Sequence, residues 1–496
     1  MTDSHLHPVW RRTPLATYRP RLASDLHVDV VVVGGGITGV TTALLLAEAG
    51  KSVCLLEARS FGAGVTGAST AHVTEAIDTR YHELQSRFGR DGARLVRSSS
   101  RDAIEKIAQL AQGVDCGFER VNGYLYTELQ PQLEELDAEL LAATQAGASV
   151  ERCEVPLDVP AFGGICFADQ AQIDPVAYVT ALAARLERTG AHIHEGVSML
   201  DVETDAGLRV TTDAGPSVRA KAVVLATHAP FAKLTLQLKL TQYRSYALAG
   251  RSTQPPVGLF WDMADPYHYV RSAKVGLDRY CIVGGADHRT GELPEGGPAA
   301  PFQELEAYAA RFGFRPEARW SAQVVESADG LPFIGRPDPD QPIYVATGFG
   351  GNGISFGTLS AMLISDAIQG RSNPYAELYR ANRFKAAALG TMLSENMDTA
   401  VHALADHVRS TSSLCAQEIE PGTGAVVRHG SERLAVYRDD DGVAHALSCV
   451  CTHLGCQVAF NPIERSWDCP CHGSRFDVDG AVLDGPATKP LEKRSL

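Results

Sequence analysis

The sequence predicts an α/β protein that carries a small all-β domain at its C-terminal end. A β-branched run at 28–33 leads through glycines into a helical stretch and a second apolar run at 52–56, which together form a βαβ unit. From residue 242 to 325, aromatic and β-branched runs alternate with turn residues, a pattern typical of an antiparallel sheet. After Ser410 the apolar runs become short and turns such as Asp479-Gly480 separate them, which predicts the all-β domain.

The composition is that of an ordinary globular protein, with 45% hydrophobic and 21% charged residues among 496. The net charge of −14 argues against nucleic-acid binding, because phosphate recognition requires clustered Lys and Arg. No apolar run is long enough for a transmembrane segment and no secretory signal is visible, so we expect a cytoplasmic protein. Five of the eleven cysteines lie within the 23 residues from Cys449 to Cys471, which indicates metal binding or redox chemistry.

The first functional motif is a glycine-rich loop between the first strand and the helix of the βαβ unit. Gly34 is suited to the tight turn, Gly36 to close approach of a pyrophosphate, and Gly39 to close packing of helix on strand. Glu57 follows at the end of the second strand, where a carboxylate can accept hydrogen bonds from a ribose. The motif predicts a dinucleotide site, and by itself it leaves FAD and NAD open.

Longer stretches of the chain resemble the D-amino-acid oxidase-like family of FAD-dependent oxidoreductases, which includes the sarcosine and glycine oxidases. The resemblance rests on segments 30–57 and 223–227, on DGLPFIG at 329–335 and on ATGFGGNG at 346–353. It implies a Rossmann-like α/β FAD-binding domain with an antiparallel-sheet substrate domain. The predicted oxidoreductase part spans 1–385, with FAD-binding parts at about 25–80, 174–230 and 325–370 and substrate-domain parts at about 81–173 and 231–324.

The same resemblance assigns cofactor contacts outside the glycine motif. In the family, the loop that here ends at Gly353 and Ile354 lies over the flavin pyrimidine, where a helix N-terminus stabilises negative charge on the reduced ring. The backbone at Val197 is implied to contact the adenine. The cofactor residues implied in this way are Val197, Ala226, Gly330, Gly351, Asn352, Gly353 and Ile354.

Relatives attach FAD covalently in two ways, and the residues at the corresponding positions of this sequence differ in whether they allow each linkage. Some relatives use a cysteine just before the DGLPFIG segment, but residues 322–324 contain none, which argues against that linkage. Sarcosine and dimethylglycine dehydrogenases use a histidine in a Ser-Thr-x-His sequence, and Ser69-Thr70-Ala71-His72 is similar. The similarity leaves three alternatives open for His72: a covalent bond to FAD, a loop histidine beside the flavin, or an exposed side chain.

The cysteine cluster contains two Cys–His pairs, Cys451 with His453 and Cys469 with His472, on two segments 16 residues apart. Two thiolates and two imidazoles can supply two ligands to each iron of a [2Fe–2S] cluster. The alternative is a Cys₂His₂ zinc site, which uses the same ligand types with different spacings and without the flanking Gly-Ser.

Both Cys–His motifs resemble those of the Rieske [2Fe–2S] domain, and the resemblance covers about 413–496. It implies that the two cysteines of the pairs bind one iron and the two histidines bind the other. It also implies a disulfide between Cys456 and Cys471, as in respiratory-type members, and a hydrogen bond from Ser474 to a bridging sulfur.

The resemblance to the oxidases implies a substrate, namely an amine or amino acid whose C–N bond becomes an imine. Arg271 matches a frequent family arginine and is predicted to bind a substrate carboxylate, while Tyr269 or His268 would hold the amine in its neutral form. A structural role in the sheet is the alternative for each of them. The lysine that activates oxygen in sarcosine oxidases has no counterpart, since Ile282 lies near its place, and this favours a dehydrogenase.

FAD and a [2Fe–2S] cluster in one chain predict conversion of a two-electron oxidation into one-electron transfers. The expected partner is an external electron acceptor, either a protein or a quinone. The alternative is a reductase or monooxygenase-type flavoenzyme in which a donor protein feeds electrons through the cluster to the flavin. A helical linker is predicted at 386–412, and a homo-oligomer is left open.

Overall fold

The computed structural model describes residues 7–12, 19–205, 207–229, 234–292, 294–384 and 415–496, so the linker predicted at 386–412 lies outside the described residues. The longer helices are Ile37–Glu48, Tyr81–Leu110, Leu133–Ala146, Pro175–Glu187, Ala300–Ala309 and Gly353–Ile368, with short ones at Val65–Ala68, Leu234–Gln237 and Ala376–Tyr379. Within the described ranges, no helix combines the length and apolar character needed to cross a membrane.

The first sheet has eight strands and contains the predicted βαβ unit. Its strands, in spatial order, are Phe333–Gly335, Ile343–Thr347, Val218–Leu225, Leu26–Val33, Val53–Leu56 and His192–His194, with Leu208–Thr212 and Met199–Glu203 added beside Val218–Leu225. Val30 and Val32 belong to the core on one face of the sheet, and Val31 and Val33 belong to the core on the other. Residues 30–33 of this strand are therefore all apolar, because both faces of the sheet are covered there.

The second sheet has nine strands and confirms the antiparallel sheet predicted for 242–325. Its strands, in spatial order, are Ala318–Ser327, Leu240–Arg251, Asp278–Arg289, Tyr269–Val275, Leu259–Asp262, Glu119–Thr127, Gly163–Gln172 and His72–Val73, with Val150–Cys153 paired to Gly163–Gln172. The sheet is mixed, because Leu259–Asp262 runs parallel to Glu119–Thr127. The two parts predicted for the substrate domain are joined at that parallel pair.

Helix ends bring backbone amides towards the region between the two sheets. The Ile37–Glu48 helix begins directly after the glycine-rich loop, and the Gly353–Ile368 helix begins after a second glycine-rich loop. The Pro175–Glu187 helix has Asp174 as its N-cap, whose carboxylate accepts from the amides of Val176 and Ala177. Proline at the first position suits this end because its missing N–H has no helical partner there.

The C-terminal domain consists of two four-stranded sheets. The first contains Gly424–His429, Glu432–Arg438, Ala444–Ser448 and Lys493–Arg494, and the second contains Ala459–Asn461, Ser466–Asp468, Arg475–Asp477 and Val482–Asp484. Trp467 and Phe476 are fully buried between them. The two Cys–His segments are loops of this domain, one before Ala459 and one between Asp468 and Arg475.

Candidate active site and metal centre

A cavity of about 380 Å³ lies where the first sheet, the second sheet and the C-terminal domain meet. Its lining includes the glycine-rich loop at 34–36, the second glycine-rich loop at 350–353, strand residues of the second sheet, and the segment 482–488 of the C-terminal domain. The FAD-binding part, the second sheet and the C-terminal domain therefore all contribute to one site.

The glycine-rich loop has the close contacts that a dinucleotide motif requires. Gly34 has φ +111°, and a Cβ there would overlap the carbonyl of Ala226. A Cβ on Gly39 would overlap the carbonyl oxygen of Gly34, so this position holds the helix against the strand. Gly34, Gly36 and Ala226 line the cavity, which leaves backbone at the surface that a pyrophosphate would approach.

Glu57 closes this end of the cavity. Its two carboxylate oxygens accept from the amides of Gly35 (2.6 Å) and Arg59 (2.7 Å), and burial raises the pKa of the carboxyl above its usual range. A carboxylate has about four acceptor sites, so two remain for ribose hydroxyls. Val197 also lines the cavity, and its N–H donates to the Glu57 carbonyl (2.9 Å), which leaves the Val197 carbonyl for an adenine.

The opposite end of the cavity is formed by the second glycine-rich loop. Gly351, Asn352, Gly353 and Ile354 all line it, and the helix that begins at Gly353 directs its N-terminal amides there. The side-chain oxygen of Asn352 accepts from the amide of Asp78 (2.9 Å), and the Gly351 amide donates to the Asp78 carboxylate. This end fits the ring system of FAD, since a helix N-terminus favours negative charge beside it.

His72 lines the cavity together with Ser69 and Thr70, so the alternative of an exposed loop histidine is wrong. Its Nδ1 lies 3.3 Å from the Thr70 hydroxyl, while its Nε2 is buried without a hydrogen-bond partner. Burial lowers the pKa of the imidazole to about 3, so the ring is neutral. Covalent attachment of FAD at His72 stays a prediction.

Four of the predicted cofactor and substrate residues do not line the cavity, namely Gly39, His268, Arg271 and Gly330. Gly330 has φ +84° and forms a turn, in which its carbonyl accepts from the Thr79 hydroxyl (2.9 Å). Glycine is therefore needed here for the backbone conformation of the turn. The ring nitrogens of His268 lie 2.9 Å from the Asp262 carboxylate and 3.2 Å from that of Glu304. The prediction that His268 holds the substrate amine is therefore wrong, because both nitrogens are already engaged.

Tyr269 does line the cavity, where its hydroxyl lies 3.0 Å from the Ser245 hydroxyl. Its ring meets the His72 ring edge-on, with centroids 5.7 Å apart. Burial raises the pKa of the phenol, so the hydroxyl stays protonated and can donate. Tyr269 is thus the one predicted substrate-side residue that faces the cavity.

Arg271 is buried and does not line the cavity, so its predicted role as a carboxylate clamp is wrong. One Nη donates to the carbonyls of Thr70 (2.8 Å), Ala71 (2.7 Å) and Ile173 (3.1 Å), and Nε donates to that of Ser272 (2.9 Å). The guanidinium instead ties the loop before His72 to the second sheet.

We expect Arg271→Lys to reduce the free energy of unfolding by about 2 kcal/mol or more. A lysine ammonium can replace only some of the donations to the four carbonyls, and each buried carbonyl left without a donor costs about 1–3 kcal/mol. Urea unfolding measures this, with Arg251→Lys as the control, since that side chain is 58% exposed. A stable Arg271→Lys variant with weakened binding of carboxylate ligands would contradict the structural role.

The four predicted iron ligands come together in the C-terminal domain. Cys451 and Cys469 are free thiols joined by a hydrogen bond, which lowers the pKa of Cys451 to about 7. The rings of His453 and His472 have centroids 5.0 Å apart, and the Nδ1 atom of each is buried without a hydrogen-bond partner. Two adjacent thiols and two orphaned imidazole nitrogens are the donor set that a [2Fe–2S] cluster of the Rieske type requires.

A disulfide joins Cys456 to Cys471 and thereby connects the two ligand loops. The sulfur of Cys469 lies within 4.8 Å of both disulfide sulfurs, but a sulfur in a disulfide is not a thiolate ligand. Ser474 is buried beside Cys451, to which its hydroxyl is hydrogen-bonded. The second loop is thus held by a covalent bond on one side and by this serine on the other.

The ligand loops pack directly against the second sheet. The Gln323 side-chain amide donates to the carbonyl of Gly473 (2.7 Å), the residue that follows the predicted ligand His472. A Cβ added to Gly291 would lie 2.6 Å from the backbone of Pro470, the residue after the predicted ligand Cys469. Nothing in the sequence pattern marks Gln323 or Gly291, because this contact depends on how the domains dock.

Sequence reasoning also missed several carboxylates that line the cavity, among them Asp78 and Asp287. Asp78 accepts from the Gly351 amide and from the Tyr267 hydroxyl (3.1 Å), and Asp287 lies on the strand Asp278–Arg289. A signal for Asp287 was present, since it is a lone acid directly after the apolar run 280–286.

The fold and both sites define an FAD-dependent oxidoreductase that carries a Rieske iron–sulfur domain. The chain belongs to the FAD dependent oxidoreductase family, whose model matches residues 29–367, and the Rieske [2Fe-2S] domain model matches residues 412–494. FAD and a [2Fe–2S] cluster are therefore its cofactors, as predicted.

Individual relatives agree with this assignment. The chain is 30% identical to the Rieske 2Fe-2S iron-sulfur protein YhfW of Bacillus subtilis, over 98% of this chain and 97% of that one. It is 25% identical to gamma-glutamylputrescine oxidoreductase of Escherichia coli, over 70% and 85% of the two chains. Glycine oxidase of Geobacillus kaustophilus has a similar fold, with a TM-score of 0.62, 20% identity and coverage of 72% and 100%.

Proposed function

We propose that the protein oxidises the C–N bond of an amine or amino acid to an imine and passes the electrons one at a time through the Rieske cluster to an external acceptor. The substrate loses a hydride from carbon and a proton from nitrogen, and water then hydrolyses the C=N bond. FAD accepts the electrons of such an oxidation as a pair, whereas a [2Fe–2S] cluster carries them singly.

The observation that carries the proposal is the contact between the two cofactor sites within one chain. Segment 482–488 of the Rieske domain lines the cavity, and Gln323 lines it too while holding the carbonyl of Gly473 beside ligand His472. His472 is 9% exposed, and the carbonyl of the next residue accepts from Gln323 of the oxidoreductase part. This placement supports direct transfer between the sites.

The relatives support the substrate class. Gamma-glutamylputrescine oxidoreductase and glycine oxidase carry the names of an amine derivative and an amino acid. Within the cavity, Tyr269 offers a hydroxyl that stays protonated, because burial raises its pKa.

The reverse direction, in which a donor protein supplies electrons through the cluster to the flavin, is the second candidate, because the same contact between the two sites would allow it.

Anaerobic stopped-flow mixing with a panel of amines and amino acids tests the direction. We expect loss of flavin absorbance, followed by the EPR signal of the reduced cluster. The rate of this second step should not depend on protein concentration, because the transfer takes place within one chain. Absence of bleaching with every amine and amino acid, together with rapid bleaching by NADPH, would overturn the proposal.

Gly291→Val tests the contact itself, since its side chain would push against the backbone of Pro470. We expect flavin reduction at the wild-type rate and transfer to the cluster slowed by about tenfold or more, because about 1 Å of misplacement can cost about 100-fold. Gly276→Asn is the control, as Gly276 also has a positive φ and has open space around it. Unchanged transfer in Gly291→Val would exclude this route.

A further inference from the structure

The substrate end of the cavity contains a carboxylate that is not fully paired. Asp287 lines the cavity at the end of the strand Asp278–Arg289. The Ser245 hydroxyl is hydrogen-bonded to its carboxylate, while its Oδ1 is buried without a hydrogen-bond partner. An ionised carboxylate in such a place is costly unless a cation or a donor accompanies it.

The groups around Asp287 do not supply that cation. Asp78 opposes the ionisation of Asp287, and His268, which favours it, is already paired with the carboxylates of Asp262 and Glu304. Burial raises the pKa of Asp287 to about 7. The rings of Tyr267 and Tyr269 lie beside it, and both phenols are kept neutral because burial raises their pKa.

The arginines near the cavity are engaged elsewhere. Arg271 is hydrogen-bonded to backbone carbonyls outside the cavity. Arg59 lies beside Glu57, at the end with the dinucleotide motif, and Arg80 lies 3.5 Å from the Glu135 carboxylate. A substrate carboxylate beside Asp287 would therefore meet the carboxylates of Asp78 and Asp287, whereas the two lining arginines, Arg59 and Arg80, lie beside Glu57 and Glu135.

We propose that Asp287 binds the substrate as a cationic amine, so that the cavity selects amines without a carboxylate next to the nitrogen. The proposal rests on the proposed function and deepens it by naming the substrate class. An ammonium group supplies N–H donors to Oδ1 and a positive charge opposite to that of the carboxylate. It passes one proton to the Asp287 carboxylate before the neutral amine releases its hydride. The aromatic faces of Tyr267, Tyr269 and Trp261, which line the same cavity, add a favourable interaction with a cation.

Two probes of equal shape and opposite charge test the charge preference without oxidation. tert-Butylammonium and pivalate have no hydrogen on the central carbon, so neither can be oxidised to an imine or its analogue. We expect tert-butylammonium to perturb the flavin absorbance of the holoenzyme saturably, and pivalate to bind at least tenfold more weakly. Equal or tighter binding of pivalate would overturn the proposal.

Asp287→Asn tests the residue. We expect its affinity for tert-butylammonium to fall by about tenfold to hundredfold, which corresponds to loss of a charged hydrogen bond. Asp278→Asn is the control, since Asp278 lies on the same strand and pairs with Arg251 on the surface (3.2 Å). Unchanged affinity in Asp287→Asn, with wild-type FAD content, would overturn the proposal.

The pH dependence supplies a second readout. In the wild type, affinity for tert-butylammonium should be full above pH 8 and should fall as the pH drops through about 7, because protonation of Asp287 removes the negative charge. Asp287→Asn should show no such change, although Asp78, His268, Tyr267 and Tyr269 are all retained. An identical pH profile in the variant would assign the effect to those groups and overturn the proposal.

The reaction with substrates separates this proposal from the proposed function. Bleaching of the flavin by butylamine or N-methylbutylamine and not by norvaline or N-methylnorvaline supports both. Bleaching by the amino acids alone leaves the proposed function standing and overturns the role of Asp287. No bleaching by any of them, with tert-butylammonium bound through Asp287, overturns the proposed function and retains the cation site.

Discussion

The Cys469→Ser variant should retain FAD and lose the [2Fe–2S] cluster, so that turnover with an external acceptor falls more than about 100-fold. Cys469 is buried, and its thiol is hydrogen-bonded to that of Cys451 at the point where both would bind one iron. Loss of a group that merely supports a ligand costs about 10- to 100-fold, and loss of a ligand should cost more. Iron content, the EPR signal and steady-state rates measure the effect.

Flavin reduction by substrate should continue in this variant, because the glycine-rich loop and the second sheet are separate from the ligand loops. Cys449→Ser is the matched control, since Cys449 is a buried free cysteine of the same domain that is not a predicted iron ligand. Its thiol donates to the Arg433 carbonyl (3.3 Å). Wild-type turnover in Cys469→Ser would show that electrons leave without passing through the Rieske domain.

The Gly39→Val variant should bind FAD about 100-fold more weakly and purify largely without it. A Cβ at this position would overlap the carbonyl oxygen of Gly34, so the helix must move away from the loop that receives the pyrophosphate. Overpacking of this kind costs about 1–3 kcal/mol, and each 1.4 kcal/mol is about tenfold in affinity. Flavin fluorescence titration of the apoprotein measures the dissociation constant.

Gly50→Asn is the control for this variant. Gly50 follows the other end of the same helix with φ +82° and has open space around it, and asparagine tolerates that conformation. The control should bind FAD normally. Normal FAD affinity in Gly39→Val would contradict the packing role of this glycine.

The parts of the molecule that could be predicted are those in which neighbouring residues set the geometry. The strand, the loop at Gly34, Gly36 and Gly39, and Glu57 all lie within 30 residues, and their contacts follow from the βαβ unit itself. The same holds for the Cys–His pairs, because two residues on one tight loop present their side chains to the same side. The disulfide was implied by family resemblance, and Cys456 and Cys471 are joined in the structure.

The substrate-side residues could not be predicted in this way, because strand pattern does not say how far a cavity extends along one face of a sheet. Tyr269 and Arg271 lie two apart on one strand, yet Tyr269 lines the cavity and Arg271 binds carbonyls of the loop before His72. Asp262 lies only six positions before His268 and Glu304 lies 36 positions after it, and together they occupy both nitrogens of the ring. The contact with Glu304 depends on how the helix Ala300–Ala309 packs on the sheet.

Which cofactors this protein carries follows from short motifs, because pyrophosphate and iron are recognised by backbone and side chains only a few residues apart. Where the two sites lie relative to each other does not follow from any motif. That placement depends on Gln323, Gly291 and segment 482–488, which are brought together when the Rieske domain docks on the second sheet. Likewise, the charge at the substrate end depends on Asp287 and Asp78, which are 209 positions apart and meet only in the folded chain.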